Sequence, residues 1–338
     1  MATYKEIKGT QIEVVASDPS NPVEGQIWFN TTSNVLKGSV LTTAAAWSTG
    51  GNLNTARRQM AGAGTSSSAA LGFGGYLAPG ASSAPSALCE SYNGSAWSEV
   101  GDLNTARRGP MGNGTQTSAL AYGGSVDPGN SAKTDSWNGT AWTEVADLNS
   151  GRQQGAGAGA NNTSALASGG ADFPTIHKLT ESWNGTSWTE VADLNQERYG
   201  HQGFGLINSA IVCGGQEPPG TYYKLTESWN GSGWTELNDI SFERSFGGSA
   251  GSNNTSGLIF GGTDDSPTDL RTNLVEVWNG TNWTEVADLS GAKFTAMAGA
   301  GTATSAIAFG GEGPSNEMRS ATEEWIDPTL STKTADTD

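Results

Sequence analysis

The chain has few of the residues that most chemistry needs. Its 338 residues include two cysteines, two histidines and 17 lysines and arginines, against 34 aspartates and glutamates. A formal net charge of −17 lacks the cationic footprint that phosphate binding requires, so a nucleic-acid partner is excluded. No apolar run is long enough to span a membrane, and the start, Met1 to Val15, lacks a basic region followed by an apolar stretch and a cleavage site. Neither membrane insertion nor a signal peptide is expected.

The few reactive residues are scattered. Cys89 and Cys213 fall in different repeat units and read as two buried free thiols. His177 and His201 have no cysteine or carboxylate near them at metal-ligand spacing, which argues against zinc. Nucleophile elbows and phosphate loops are absent, so no enzymatic activity and no cofactor are expected. Asp264, Asp265 and Asp269 form the densest acidic group, read as a surface loop with a weak Ca²⁺ site as the rival.

Glycine and tryptophan, by contrast, are abundant, and both are periodic. Glycine pairs begin at Gly74, Gly123, Gly169, Gly214, Gly261 and Gly310, 45 to 49 residues apart. Trp47, Trp97, Trp142, Trp188, Trp234 and Trp283 form a second series, and Tyr92, Trp137, Trp183, Trp229, Trp278 and Trp325 a third. Only Trp28 stands outside both. Each unit reads as a Gly/Ala-rich strand, an apolar strand ending in Gly-Gly, an acid-x-Trp strand, an Asn-Gly turn and a final Trp strand.

Four strands per unit with these markers resemble the kelch repeat, over roughly residues 35 to 326. The resemblance implies an all-β, six-bladed β-propeller. Tryptophan at five positions where that family prefers tyrosine would enlarge the contact between units. The first marker is a fourth-strand Trp47, whereas the last unit stops after its third strand at Trp325. The sixth blade is therefore expected to be completed, and the ring closed, by a strand around Ala44 to Ser48. The copper-oxidase and sialidase branches of such propellers need ligands or boxes that this chain does not have.

Repeated charges admit two readings. The cations Arg57 or Arg58, Arg107 or Arg108, Arg152, Arg198, Arg244 and Lys293 recur with the acids Glu90, Asp135, Glu181, Glu227, Glu276 and Glu323. Ion pairs stitching strands are the expectation, and an axial ring of cations binding an anion is the alternative. Asn93, Asn138, Asn184, Asn230 and Asn279 match glycosylation sequons but read as hairpin turns. The loops after Gly-Gly vary, and they share one face of a propeller. If that face binds a partner, Phe173, His177, Tyr222, Tyr223, Arg271, Met318 and Arg319 are the expected contacts.

Residues 1 to 34 lie outside the repeat. Pro22 to Thr32, with Ile27-Trp28-Phe29 at its centre, followed by Leu36-Lys37, is similar to a hairpin element of tailed-bacteriophage virion proteins, marine cyanophages included. The resemblance implies a virion protein of the tail or capsid surface, with Ile27, Trp28 and Phe29 in a docking segment for other virion proteins. The propeller would face a host-surface glycan or protein, and residues 327 to 338 would form a polar, mobile tail. The alternative is a cellular kelch-type adaptor or bacterial surface lectin.

Overall fold

The computed structural model describes residues 12–19, 26–41, 45–77, 84–218, 220–264, 271–291, 295–327 and 330–334. Among them there is no helix, and nearly every strand pair is antiparallel. The chain divides into two compact units, Met1–Ala45 with Asp327–Asp338, and Ala46–Ile326.

In the smaller unit four strands lie in the order Glu13–Val15, Ile27–Asn30, Val35–Leu41 and Leu330–Thr334, the first pair parallel. This moves two expected boundaries. Residues 35 to 41 belong to this sheet and not to the repeats. The expected mobile tail contributes a strand, with Leu41 opposite Leu330 and Lys37 opposite Thr334. The β-branched threonines in that tail suit a strand, and pairing it covers an otherwise open edge.

Trp28 is fully buried in this unit, and its indole N–H donates to Asp18 Oδ1 at 3.0 Å. Asn30 Nδ2 donates to the same oxygen at 2.7 Å, and Lys37 Nζ pairs with Oδ2 at 2.7 Å. The Lys37 contact, then the Asn30 and Trp28 hydrogen bonds, hold the Asp18 carboxyl down at about 2.

The larger unit holds six four-stranded sheets, an arrangement consistent with a β-propeller. Sheet one is Ala61–Ser66, Ala69–Phe73, Cys89–Tyr92 and Trp97–Glu99; sheet two is Met111–Thr115, Ser118–Tyr122, Thr134–Trp137 and Trp142–Val145. Sheet three is Ala156–Asn161, Ser164–Ser168, Thr180–Trp183 and Trp188–Glu190; sheet four is Gln202–Leu206, Ser209–Cys213, Thr226–Trp229 and Trp234–Glu236. Sheet five is Gly248–Asn253, Ser256–Phe260, Val275–Trp278 and Trp283–Glu285. Sheet six is Ala298–Thr302, Ser305–Phe309 and Thr322–Ile326, and its fourth strand is Ala46–Thr49, paired Trp47 to Trp325.

Small residues on the first strands have a steric cause. A Cβ on Gly62 would lie 2.5 Å from the Gly299 carbonyl oxygen, and one on Gly157 would lie 2.5 Å from that of Gly112. Neighbouring first strands therefore approach too closely for side chains at these points.

Tryptophans tie each sheet to the next. The fourth-strand Trp97 donates to Thr322 Oγ1 at 2.9 Å, Trp188 to Thr134 at 3.0 Å, and Trp234 and Trp283 to Thr180 and Thr226 at 3.1 Å. Each threonine opens the third strand of the preceding sheet, with sheet six preceding sheet one. In the two remaining sheets that position is Cys89 or Val275: Trp142 has only the Cys89 sulfur to meet, without good hydrogen-bond geometry, and the Trp47 indole N–H is buried without a partner. The third-strand tryptophans act within their own sheets, as when Trp137 Nε1 donates to the Gln116 carbonyl at 2.9 Å and Trp183 to that of Asn162 at 3.1 Å. The same indoles also lie in apolar clusters with residues of the preceding sheet, Trp137 beside Ala61 and Leu71.

The repeated charges are ion pairs. Arg57–Glu90, Arg152–Glu181, Arg198–Glu227 and Arg244–Glu276 meet at 2.8, 2.5, 2.6 and 2.6 Å, Arg107 pairs with Asp135, and all ten side chains are buried. Each arginine also donates to carbonyls at the ends of strands, as Arg57 does to Gly74 and Leu88. The axial ring of cations is thereby overturned: these guanidiniums neutralise acids inside their own sheets. Lys293 lies outside the described residues, and Glu323 accepts from Ser290 and Gly291.

The Asn-Gly segments form the expected hairpin turns, as four-residue turns. Tyr92 pairs with Trp97, so residues 93 to 96 make the turn, and Asn93 Oδ1 accepts from the Ser95 and Ala96 N–H groups at 3.0 Å. Only the glycine takes positive φ, at 91° for Gly94. The asparagine acts through its side chain.

Candidate functional site

Each loop that follows a Gly-Gly pair bridges to the connector leading into the same sheet, as Tyr76 does to Arg58, Ser125 to Arg108 and Gln216 to Tyr199. Variable loops and connectors therefore share one end of the sheets, as expected, and the Asn-Gly turns lie at the other. The connectors also carry a feature that the sequence hides. Gln59, Gly109, Gln154, Gly200, Phe246 and Ala296 all have φ between 53° and 66°. The N–H of each of the last five donates to the carbonyl of the one before it, at 2.6 to 2.9 Å. Gln59 N–H donates to the Ala296 carbonyl at 2.7 Å, which returns the series to its start.

Around these six residues opens a mouth of about 100 Å³, lined among others by Gln59, Gln154, His201 and Phe246. Beyond it lies a cavity of about 170 Å³ walled by the first strands of all six sheets. His201 borders both. It is 6% exposed and neither ring nitrogen has a hydrogen-bond partner of good geometry. Burial, then the Arg198 guanidinium, lowers its pKa to about 3 against the pull of the Ser168 carbonyl, so the imidazole is neutral.

The expected contact residues separate into two groups. Phe173 is 48% exposed on the tip of an extra hairpin, Ala171–Asp172 with Thr175–Ile176, and its ring meets Tyr199 edge-on at 5.1 Å. Tyr199 in turn meets Phe246 at 5.9 Å. An aromatic row thus runs from the loop rim of sheet three to the axial mouth. Tyr222 lies on a second extra hairpin, Gln216–Glu217 with Thr221–Tyr222. Tyr223 is held by Gln196 Nε2, which donates to its hydroxyl at 3.1 Å, and by Arg198, 5.6 Å from its ring centre. Burial and the Glu217 contact push its phenol up to about 12.

The remaining candidates, His177 apart, are bound internally. Arg271 donates to Glu312 Oε1 and Asn316 Oδ1, each at 2.6 Å, and Arg58 also pairs with Glu312. Arg319 pairs with Glu317, while Met318 bridges to Glu312 as backbone. The His177 Nε2 is buried without a partner, and burial followed by Arg152 lowers its pKa. The two arginines therefore serve the loops of sheets five and six before any partner.

Of the acids considered for Ca²⁺, Asp264 is described and Asp265 and Asp269 lie outside the described residues. Among the described residues no three His, Cys, Asp or Glu side chains converge as a metal site. Both cysteines are buried and free, and burial pushes each thiol up to about 12.

In the docking segment, alternation along Ile27–Asn30 splits the three expected residues. Trp28 faces the buried side, so it is unavailable to a partner, whereas Ile27 is 37% exposed. The pairing of Glu13 with Trp28 and Val14 with Phe29 sets Val14 on the side of Ile27 and Phe29. Val14 is 65% exposed and Ile12 42%. No protein-family model matches the chain, and no curated protein is significantly similar to it in sequence.

Proposed function

We propose that this chain is a non-enzymatic structural protein of a tailed-bacteriophage virion. In this reading the six sheets form a closed, six-bladed kelch-like propeller, and the small sheet is a separate docking unit. The returning series of hydrogen bonds through Gln59 and Ala296, and the seating of Ala46–Thr49 in sheet six, support closure.

One observation carries the functional reading. The chain enters the repeated sheets at Ala46 and leaves at Ile326, where the other five sheets have their Asn-Gly turns. The tether is thus at the end opposite the variable loops. Ile12, Val14 and Ile27 give the small unit an exposed apolar side for other virion proteins, and in this reading the variable-loop end of the sheets meets a host-surface glycan or protein.

Mass spectrometry of purified particles tests the assignment, together with incorporation of full-length chain carrying Val14→Asp and Ile27→Asp. The expected result is wild-type chain in particles and a folded, soluble variant lost from them. A chain absent from particles would overturn the virion reading and leave a soluble kelch-type binding module.

A further inference from the structure

Beyond its loops, the end of the sheets opposite the tether has a charge asymmetry. Over sheets five, six and one, arginines and glutamates are locked together as Arg58, Arg271 and Glu312 and as Arg319 and Glu317. Over sheets three to five the mouth itself is lined by amides, the Phe246 ring and one neutral imidazole, with the acids Asp172 and Glu217 set back on the extra hairpins. The two extra hairpins also stand on this side, on sheets three and four.

We propose that the axial mouth and the aromatic row beside it form a binding site for a neutral saccharide, with Phe173, Tyr199 and Phe246 as the apolar contacts and Gln59, Gln154 and His201 as the polar ones. This inference rests on the reading that the loop end is the binding end, and it names the ligand class.

The chemistry selects that class. A pyranose ring presents C–H faces flanked by hydroxyls, so it needs aromatic surface next to groups that both donate and accept. Primary amides and a neutral imidazole do both. The half-exposed side chains of Gln59 and Gln154 stand on the mouth with the ring of Phe246. His201 is the second, independent sign. The residue borders the mouth and the cavity at 6% exposure, its nitrogens have no hydrogen-bond partner of good geometry, the Ser168 carbonyl being the acceptor acting on it, and native chains pair buried polar groups or leave them for water or a ligand. Asn113 Oδ1, on the wall of the deeper cavity, is in the same condition.

Charged ligands fit less well. The overall charge of −17 repels anions, and the guanidinium that acts on His201, Arg198, is paired with Glu227 at 2.6 Å. Asp172, the acid beside Phe173, already accepts from Asn130 at 2.7 Å. An uncharged, hydroxyl-rich ligand is what remains.

Saturation-transfer NMR and calorimetry on the full chain test this with glucose, galactose, N-acetylglucosamine and their neutral oligomers. Binding of at least one is expected, weakened tenfold or more by Phe173→Ala and by Gln154→Ala, two exposed or half-exposed positions where folding is checked by circular dichroism. Arg319→Ala, on the charged side, is expected to leave affinity unchanged. No binding across the panel, or binding indifferent to both variants, overturns the site. Particle incorporation reads the display function separately: chain found in particles without saccharide binding refutes the site alone, and binding by a chain absent from particles refutes the virion reading alone.

Discussion

Val275→Thr is expected to stabilise the protein. In four interfaces between sheets a fourth-strand indole N–H donates to the threonine that opens the preceding third strand, at 2.9 to 3.1 Å. Val275 holds that position opposite Phe260, and Trp47 packs on Phe260 at 5.1 Å with its N–H buried and unpaired. An unpaired buried donor costs ~1–3 kcal/mol, while burying one new hydroxyl that is itself paired gives back part of any gain. Since valine and threonine have nearly the same shape, the net expectation is about 1 kcal/mol of stabilisation, roughly a 2 °C rise in melting temperature for a unit of this size. The converse change, Thr180→Val, orphans the Trp234 N–H and should cost ~1–3 kcal/mol. Urea midpoints, followed by tryptophan fluorescence at constant m-value, measure both. If Val275→Thr destabilises while Thr180→Val is neutral, the indole–threonine bonds do not hold the sheets together and the argument fails.

Three further outcomes follow from the same geometry. Arg198→Ala strands Glu227 as a buried charge and should cost ~3–5 kcal/mol in urea unfolding, whereas Lys133→Ala, which breaks a solvent-screened pair with Glu144, should leave the urea midpoint nearly unchanged. Asp18 has its carboxyl lowered from 3.8 to about 2 in the folded state, so its contribution to the small sheet is complete above about pH 4 and is lost as pH falls through 2. Amide exchange near Trp28 should lose protection over that window in the wild type and not in Asp18→Asn. Cys89 and Cys213, with thiols pushed up to about 12 by burial, should resist a thiol reagent at pH 8 until denaturant is added.

Much of the architecture was legible because each marker has one local cause that recurs. Gly62 and its counterparts are small where first strands approach, and Trp47 and Trp325 are paired members of series that the chain begins and ends in mid-unit. Sequence spacing could not choose between Arg57 and Arg58, since either suits the pattern. Strand register decides it: Arg57 is buried against Glu90, and Arg58 stands with Arg108 around the Tyr76 ring at 5.4 and 5.1 Å.

The axial mouth was not legible, for a different reason. Its six residues share a backbone conformation and a hydrogen-bond partner, neither of which depends on the side chain, so Gln, Gly, Phe and Ala all occupy it. Positive φ in a residue other than glycine costs energy that the repeated bond must offset. That freedom of side chain is what makes the mouth able to differ from sheet to sheet. Tyr199 and Phe246 follow their arginines by one and two residues, places held elsewhere by small or polar residues and by Arg58 and Arg108. Such single-repeat departures to an aromatic were the available signal, and they lie in the connectors, outside the variable loops.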